Sequence, residues 1–297
     1  MTHLTEYSYF VKIILSRKGF ETSNGGDPSP VMPDGRMLSL PITDKHSLIR
    51  YQDIHWQEYN LGKIVSDLTG GRISASHFAH LDPDLNPESL PRHPEWRPVF
   101  GQTGAAQGHL HNQGVQAGDV FLFFDRFRQA AVRDGKSSWK LHSPEFYAFW
   151  GWLQIDEVLR IDDVSSSGFE WARYHPHFHR QLDPNNTLYI ARDKLQLPNL
   201  DPQALPGSGV FQRIFGALVL TAPDAARPSE WALPDWFYPG GGKPPLTYHS
   251  NLARWQKSPS GLRSCSSAIG QEFVLDIGDA PAAIPWQKYL LEANAFL

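Results

Sequence analysis

The feature that most constrains the fold is an unbroken apolar run at residues 120–124, which reads VFLFF and is entered through Gly118 and Asp119. Five large apolar side chains in succession, without polar alternation, predict a strand buried on both faces. A second apolar segment, residues 146–159, predicts its partner strand. Gly151 in the middle of that segment predicts a β-bulge or the close approach of another backbone.

The remaining elements are shorter and are separated by many punctuating residues. Asp134 and Gly135 predict a hairpin turn after the central strand. Helices are predicted at residues 48–69, where Gly70 and Gly71 supply a C-terminal stop, and at residues 285–296. The 24 glycines and 24 prolines, with 10 Trp, 10 Tyr and 17 Phe, favour short strands joined by structured loops over a helical bundle. We expect an α+β protein with long Pro/Gly-rich loops.

Length and composition bound the domain organisation and the partners. A chain of 297 residues is long enough for a substantial core. We expect one elaborated domain over residues 1–297, with its weakest boundary at residues 198–209. The formal net charge of −4 argues against a broad basic surface for binding duplexes. A lone cysteine, Cys265, excludes an intrachain disulfide and a cysteine-based zinc site.

The sequence has no pattern typical of secretion or membrane insertion. Its first 15 residues lack a basic region followed by a long apolar stretch and a cleavage site. The longest apolar candidate, residues 214–222, is too short to span a bilayer. We therefore predict a cytoplasmic protein that does not interact with membranes.

Histidines and an aspartate form compact groups that are suited to metal binding. His109 and His111 stand two residues apart, so in an extended segment both imidazoles point to one face. Together with His80 or Asp82 they would supply the His/His/carboxylate set that zinc or non-haem iron takes. The full set of predicted metal ligands is His80, Asp82, His109, His111, His175 and His177. A divalent iron or zinc ion is the predicted cofactor.

Two other interpretations of these residues stay open. His109 as a general base oriented by Asp82 would give a metal-free acid–base site. Alternatively, the histidines are ordinary loop donors and packing residues. The His-x-His pair is similar to that of cupin metal enzymes, but Val115 and Gln116 stand where a cupin has its glutamate.

Two further groups predict substrate contacts. Arg17, Lys18, Ser23 and Gly25 lie in a loop after the first strand, where cations and backbone N–H groups would hold an anion. The same loop is also explained as a tight surface turn. Trp150 and Trp152, expected on one face around Gly151, would stack on a base, whereas core packing is the plainer interpretation.

Residues 117–124 followed by residues 149–155 resemble the paired strands of PUA-like barrels, which include the ASCH, EVE and YTH domains. In these barrels a Gly-Asp turn opens one strand and a Gly-centred strand follows. The resemblance implies a central mixed β-barrel at about residues 104–222, with N- and C-terminal elaborations. It also implies a pocket for a modified base or nucleotide.

A wider pattern resembles the bacterial and phage family called nucleotide modification associated domain, third type. It is carried by residues 15–20, 23–30, 80–85, 109–127 and 175–178. The resemblance implies an association with nucleic-acid modification systems, without a defined reaction.

The leading functional hypothesis is an enzyme of nucleotide or base modification, with Asp82, His109 and His111 as catalytic residues and a metal held by the cluster. Its expected ligands are a nucleotide or a single-stranded or flipped base, and its expected partners are proteins of a modification system. One alternative is a non-catalytic reader of a modified base. Another is a metal-dependent oxidase or hydrolase with a substrate other than nucleic acid.

Overall fold

The computed structural model describes residues 11–20, 26–163, 168–180, 183–197, 205–238, 246–258, 261–266, 270–276 and 282–293. Within these ranges it contains three α-helices and sixteen strands, which confirms the α+β class. The helices are α1 (Leu61–Leu68), α2 (Gly104–Asn112) and α3 (Ala283–Ala293). The strands are β1 (Lys12–Arg17), β2 (Ser29–Val31), β3 (Ile42–Thr43), β4 (His55–Trp56), β5 (Tyr59–Asn60), β6 (Ala79–His80), β7 (Val99–Gln102), β8 (Val120–Arg133), β9 (Lys136–Trp139), β10 (Glu145–Arg160), β11 (Thr187–Ala191), β12 (Ser208–Val210), β13 (Glu230–Leu233), β14 (Trp255–Ser258), β15 (Gly261–Cys265) and β16 (Glu272–Asp276).

Nine strands form one mixed sheet around the predicted central strand. The order along its main path is β16-β1-β8-β10-β11-β7, and β2, β9 and β12 pair with β8 or β10 beside that path. Strand β1 runs parallel to β8, whereas β10 runs antiparallel to it. Three smaller sheets complete the strand pairing: β13-β15-β14, β3-β6 and β4-β5.

The two long central strands agree with their sequence predictions. Residues 120–124 of β8 are fully buried, and β10 pairs with β8 over most of its length. Each fully buried Phe side chain contributes on the order of 1.5–3 kcal/mol by leaving water. The turn at Asp134 and Gly135 has positive φ angles of 49° and 71°, which suits the tight hairpin that joins β8 to β9.

The sheet is open, so the predicted PUA-like barrel over residues 104–222 is not confirmed. Its main path ends at β16 on one side and at β7 on the other, and the two end strands do not pair with each other in the described part of the chain. Strands β1, β2 and β16 belong to the sheet although they lie outside residues 104–222. The strand pair that carried the resemblance exists, but it belongs to a larger sheet.

The predicted bulge separates the two central tryptophans. The β8–β10 register shifts between Phe149 and Gly151, which leaves Trp150 as the extra residue. The Trp150 ring lies against Phe123, whereas Trp152 pairs with Leu122. Neighbouring residues of β8 point to opposite faces, so the two tryptophans lie on opposite faces of the sheet. The prediction of one shared aromatic face is wrong.

The first helix begins later than predicted. Of residues 48–69, the α-helix covers Leu61–Leu68, because residues 51–60 form a 3₁₀ turn and the β4–β5 hairpin. The Asn60 side chain accepts a hydrogen bond from the Lys63 N–H and so defines the helix start. The helical end at Gly70 and Gly71 agrees with prediction, since both have positive φ.

The His-x-His segment is helical rather than extended. His109 and His111 lie on α2, where residues two apart do not share a face. His109 is half-buried and His111 is exposed. None of the described helices is long and apolar enough to cross a membrane.

Candidate metal centre

Three side chains from two distant parts of the sequence meet at the edge of the large sheet. His80 ends β6, Asp82 follows two residues later, and His177 lies in a 3₁₀ turn, Pro176–His179. Asp82 Oδ2 is 3.6 Å from His80 Nε2 and 3.5 Å from His177 Nε2. Among the described residues, these three form the group of donor atoms that could hold one metal ion, all within 4.8 Å of one another. All three side chains are more than nine-tenths buried.

Outer partners fix the orientation of both imidazoles. His80 Nδ1 lies 2.8 Å from Asp44 Oδ2, and His177 Nδ1 lies 2.7 Å from Asn186 Oδ1. Asn186 Nδ2 donates to the His177 carbonyl, so Oδ1 is the acceptor and the His177 Nδ1 carries hydrogen. A carboxylate likewise requires hydrogen on His80 Nδ1. The Nε2 atoms of both rings are thereby directed at Asp82, which is the arrangement that outer partners give to metal-binding histidines.

The electrostatics of the cluster follow from burial and from the carboxylates. Burial lowers the pKa of His177 to about 4 in spite of Asp82. Burial acts to lower the pKa of His80, but the carboxylates of Asp44 and Asp82 outweigh this and raise the pKa. Burial acts to raise the pKa of Asp82, and its interactions with the imidazoles of His175, His177 and His80 hold that pKa well below its usual range. Converging acceptor atoms of this kind are satisfied by a proton on His80 or by a metal cation.

The second oxygen of Asp82 is held by other groups. Oδ1 accepts a hydrogen bond of 2.7 Å from the Gly101 N–H. His175, which is fully buried, places its Nε2 3.4 Å from the same oxygen. His175 therefore lies beside the carboxylate and outside the group of three converging atoms. These contacts leave Oδ2 to face the two Nε2 atoms.

The cluster lies in the wall of a cavity of about 780 Å³. That volume is within the range of small-molecule sites. The basic residues Lys18 and Arg180 line it together with Arg17, whose guanidinium lies over the Phe124 ring. Arg180 Nη2 is 3.5 Å from His80 Nε2, so it reaches the cluster itself. The cavity therefore combines a candidate metal centre with positive charge, although the whole chain is acidic.

The predicted catalytic histidines of α2 do not join the cluster. His109 lies in the cavity wall, with its ring 4.7 Å from Tyr248 and its Nε2 3.2 Å from Thr247 Oγ1. Burial lowers the pKa of His109. His111 is exposed and is not among the residues that line the cavity.

The predicted substrate contacts divide between two cavities. Arg17, Lys18 and Trp150 line the cavity beside the cluster. Trp152 lines a separate cavity of about 530 Å³ on the other face of the sheet. Ser23 and Gly25 lie outside the described residues.

Four functional candidates were missed by sequence reasoning. Asp44, Asn186 and Arg180 contact the cluster, but they lie in polar loops where nothing in the sequence distinguishes them. Glu272 lines the same cavity, and its position in the sequence could have identified it. It is a carboxylate within a short apolar strand, and a charge in such a position is rarely buried without a specific partner.

The fold and the site define an α+β protein whose open sheet carries a candidate metal centre beside a cationic cavity. The chain belongs to the family described as nucleotide modification associated domain 3, whose model matches residues 12–276, nearly the whole chain. Membership of this family supports a role related to nucleotide modification and confirms the predicted family. No curated protein and no solved structure matches the chain.

Proposed function

We propose that this protein is a metal-dependent enzyme that modifies a nucleotide or a base, with the metal held by His80, Asp82 and His177. The observation that carries the proposal is the convergence of their three acceptor atoms at the cavity wall. Two histidines and one carboxylate form the facial set of non-haem iron oxygenases, and zinc takes a similar set in hydrolases. A bound iron or zinc ion would supply redox or Lewis-acid chemistry at this point.

The outer partners support a metal over an ordinary buried ion pair. Each ligand histidine donates its Nδ1 hydrogen to a dedicated acceptor, Asp44 or Asn186. Such partners fix the ring tautomer and raise the basicity of the ligand. An ordinary buried ion pair with Asp82 would need only one histidine and one outer acceptor of this kind.

The cavity supports a nucleotide as the substrate. Lys18 and Arg180 suit an anionic phosphate, and Trp150 supplies an aromatic wall. Family membership points to the same substrate class. In this proposal His109 forms part of the substrate-binding wall, and the partners of a modification system would act on the same nucleotide.

The test is metal analysis of the wild type, His177→Ala and His111→Ala, purified without a histidine tag or chelator. We expect stoichiometric iron or zinc in the wild type and in His111→Ala, because His111 is exposed and lies outside the cluster. We expect its loss in His177→Ala. Thermal unfolding of each variant separates loss of the ligand from loss of the fold. A wild type that takes up neither metal when both are supplied would refute the metal centre.

A non-catalytic reader of a modified base is the second candidate. It is favoured by the aromatic wall at Trp150 and by the Tyr248–His109 contact, which would hold a base without chemistry. A reader would bind nucleotides equally well before and after metal chelation and would leave them unchanged.

A further inference from the structure

The guanidinium of Arg180 lies directly beside the candidate metal centre. Its Nη2 is 3.5 Å from His80 Nε2, one of the converging ligand atoms, and 3.9 Å from Asp44 Oδ2. Its side chain is 33% exposed and lines the cavity, so a ligand in the cavity can reach it. Arg180 therefore stands between the metal ligands and the space that the substrate would occupy.

A bound metal ion would take away the acceptor that Arg180 has at His80. The Nδ1 of His80 is bonded to Asp44, so the ring has a single lone pair, at Nε2. That lone pair would go to the ion and would no longer accept from the guanidinium. Because zinc–nitrogen bonds are about 2.0–2.1 Å long, an ion on Nε2 would lie within about 6 Å of Arg180 Nη2. Two cations at this separation repel each other unless an anion lies next to both.

The carboxylates around the centre do not supply that anion. Asp44 and Asp82 together carry two negative charges, which a divalent ion alone balances. The Oδ2 of Asp44 is also already bonded to the His80 ring. Asp183, which follows Arg180 closely in the sequence, accepts its hydrogen bonds from the start of α2. In the metal-loaded protein Arg180 would therefore carry an unbalanced positive charge at the cavity wall.

Lys18, the other cation suited to a phosphate, differs in this respect. Its Nζ lies 3.1 Å from the carboxylate of Glu272, whose side chain is only 1% exposed. The negative charge of that buried carboxylate offsets the charge of the ammonium. Arg180 is therefore better suited than Lys18 to take an anion from a ligand.

We infer that the substrate binds through a phosphate shared by the metal and Arg180, so that the phosphate and not the base lies at the metal. A phosphate has several oxygens, so one can bind the ion while another accepts from the guanidinium, whose planar fork suits it. Nucleosides and free bases lack this group, and the substrate class is therefore nucleotides. This inference deepens the proposed function and rests on its metal centre.

The test measures the affinity of the full chain for inorganic phosphate by isothermal titration calorimetry, with zinc bound and after a chelator has removed it. We expect zinc to raise the affinity of the wild type by about tenfold or more, because the ion binds the phosphate directly. Arg180→Met should weaken binding to the zinc-loaded protein by about tenfold to hundredfold, the worth of one hydrogen bond to a charged group. Arg173→Met is the matched control, because Arg173 lies in the same segment over the Phe178 ring and is not among the residues that line the cavity.

Two further comparisons identify the anion and its source. Adenosine 5′-monophosphate should bind the zinc-loaded wild type more tightly than adenosine, and this difference should shrink when zinc is removed. Acetate should bind more weakly than phosphate, because it has less charge and fewer oxygens. Equal affinity for acetate and phosphate would show that a small carboxylate fills the site and would overturn the assignment to a nucleotide phosphate.

Each outcome with the variants decides the inference. Weaker phosphate binding in a folded, zinc-loaded Arg180→Met, with Arg173→Met unchanged, supports it. If Arg180→Met fails to fold or to hold zinc, Arg180→Gln replaces it and should lose the same affinity, while the wild-type comparisons do not depend on either variant. Unchanged affinity in the folded variant, or equal phosphate affinity with and without zinc, overturns the inference.

Metal content measured on the same samples separates this inference from the proposed function. A wild type that takes up zinc but binds no phosphate would refute the shared phosphate and leave the metal centre standing. A wild type that takes up neither zinc nor iron would refute the metal centre itself, and the inference would fall with it.

Discussion

Gly101→Ala is expected to damage the candidate metal centre specifically. An ideal Cβ at Gly101 would lie 2.4 Å from Cδ2 and 2.6 Å from Cγ and Nε2 of the His177 ring. The ring would have to move by about 1 Å to reach ordinary contact, well beyond the ~0.2 Å tolerance of metal–ligand distances. It cannot yield freely, because its side chain is 2% exposed and its Nδ1 is bonded to Asn186.

The expected magnitude follows from these contacts. Overpacking of this kind costs about 1–3 kcal/mol of stability, so the variant should still fold. Loss of an outer partner alone lowers metal affinity by about 10- to 100-fold, and displacement of a ligand should cost at least the upper end of that range. The assay is competition for iron or zinc against a chelator of known affinity, combined with urea unfolding of the same samples.

Gly209→Ala is the matched control. Its Cβ would lie 2.7 Å from the Trp152 ring, a comparable clash in the second cavity. It should lose similar stability and keep its metal affinity. Wild-type metal affinity in a folded Gly101→Ala, or equal loss of affinity in both variants, would show that the position of the His177 ring does not determine binding.

Two further predictions concern stability. Arg92→Ala should lower the unfolding free energy by about 3–5 kcal/mol, because it leaves the fully buried carboxylate of Asp84 without its cationic partner. Arg92 binds that carboxylate through two hydrogen bonds of 2.6 and 2.7 Å. Lys63→Ala, which removes an exposed helix ion pair, should cost less than about 1 kcal/mol in the same urea experiment, and equal costs would contradict the argument. Burial raises the pKa of Asp119 to about 6 against the hydrogen bonds from two backbone N–H groups, so the folded chain binds more protons than the unfolded chain between about pH 4 and pH 6. Asp119 should therefore lower the unfolding free energy by roughly 3 kcal/mol as the pH rises through that window. A pH series in which Asp119→Asn has the same slope as the wild type would exclude this origin.

Much of the sheet was predictable because its signals are local. The apolar run at residues 120–124 and its long partner segment each satisfy the rules for buried strands within a few residues. The hairpin at Asp134 and Gly135 follows equally from backbone conformations that those residue types favour. The bulge at Gly151 was also predicted, as was the close approach of another backbone: a Cβ at Gly151 would lie 2.9 Å from the Gly209 carbonyl oxygen.

Closure of the sheet was not predictable from the same signals. The sequence pattern of a strand pair is the same in a barrel and in an open sheet, because strand pairing and side-chain alternation are the same in both. Here β1 and β16 extend the sheet beyond β8 from the two ends of the chain. Only these long-range pairings decide that the sheet stays open.

The site shows the same division between local and long-range information. Sequence patterns were enough to indicate the family and to include His80, Asp82 and His177 among the candidate ligands. Tertiary structure alone decided that His177 and not His109 meets Asp82, because α2 formed where an extended segment was expected. Folding also brought Asp44 and Asn186 to the two ligand histidines, and the sequence neighbours of these residues do not indicate such contacts.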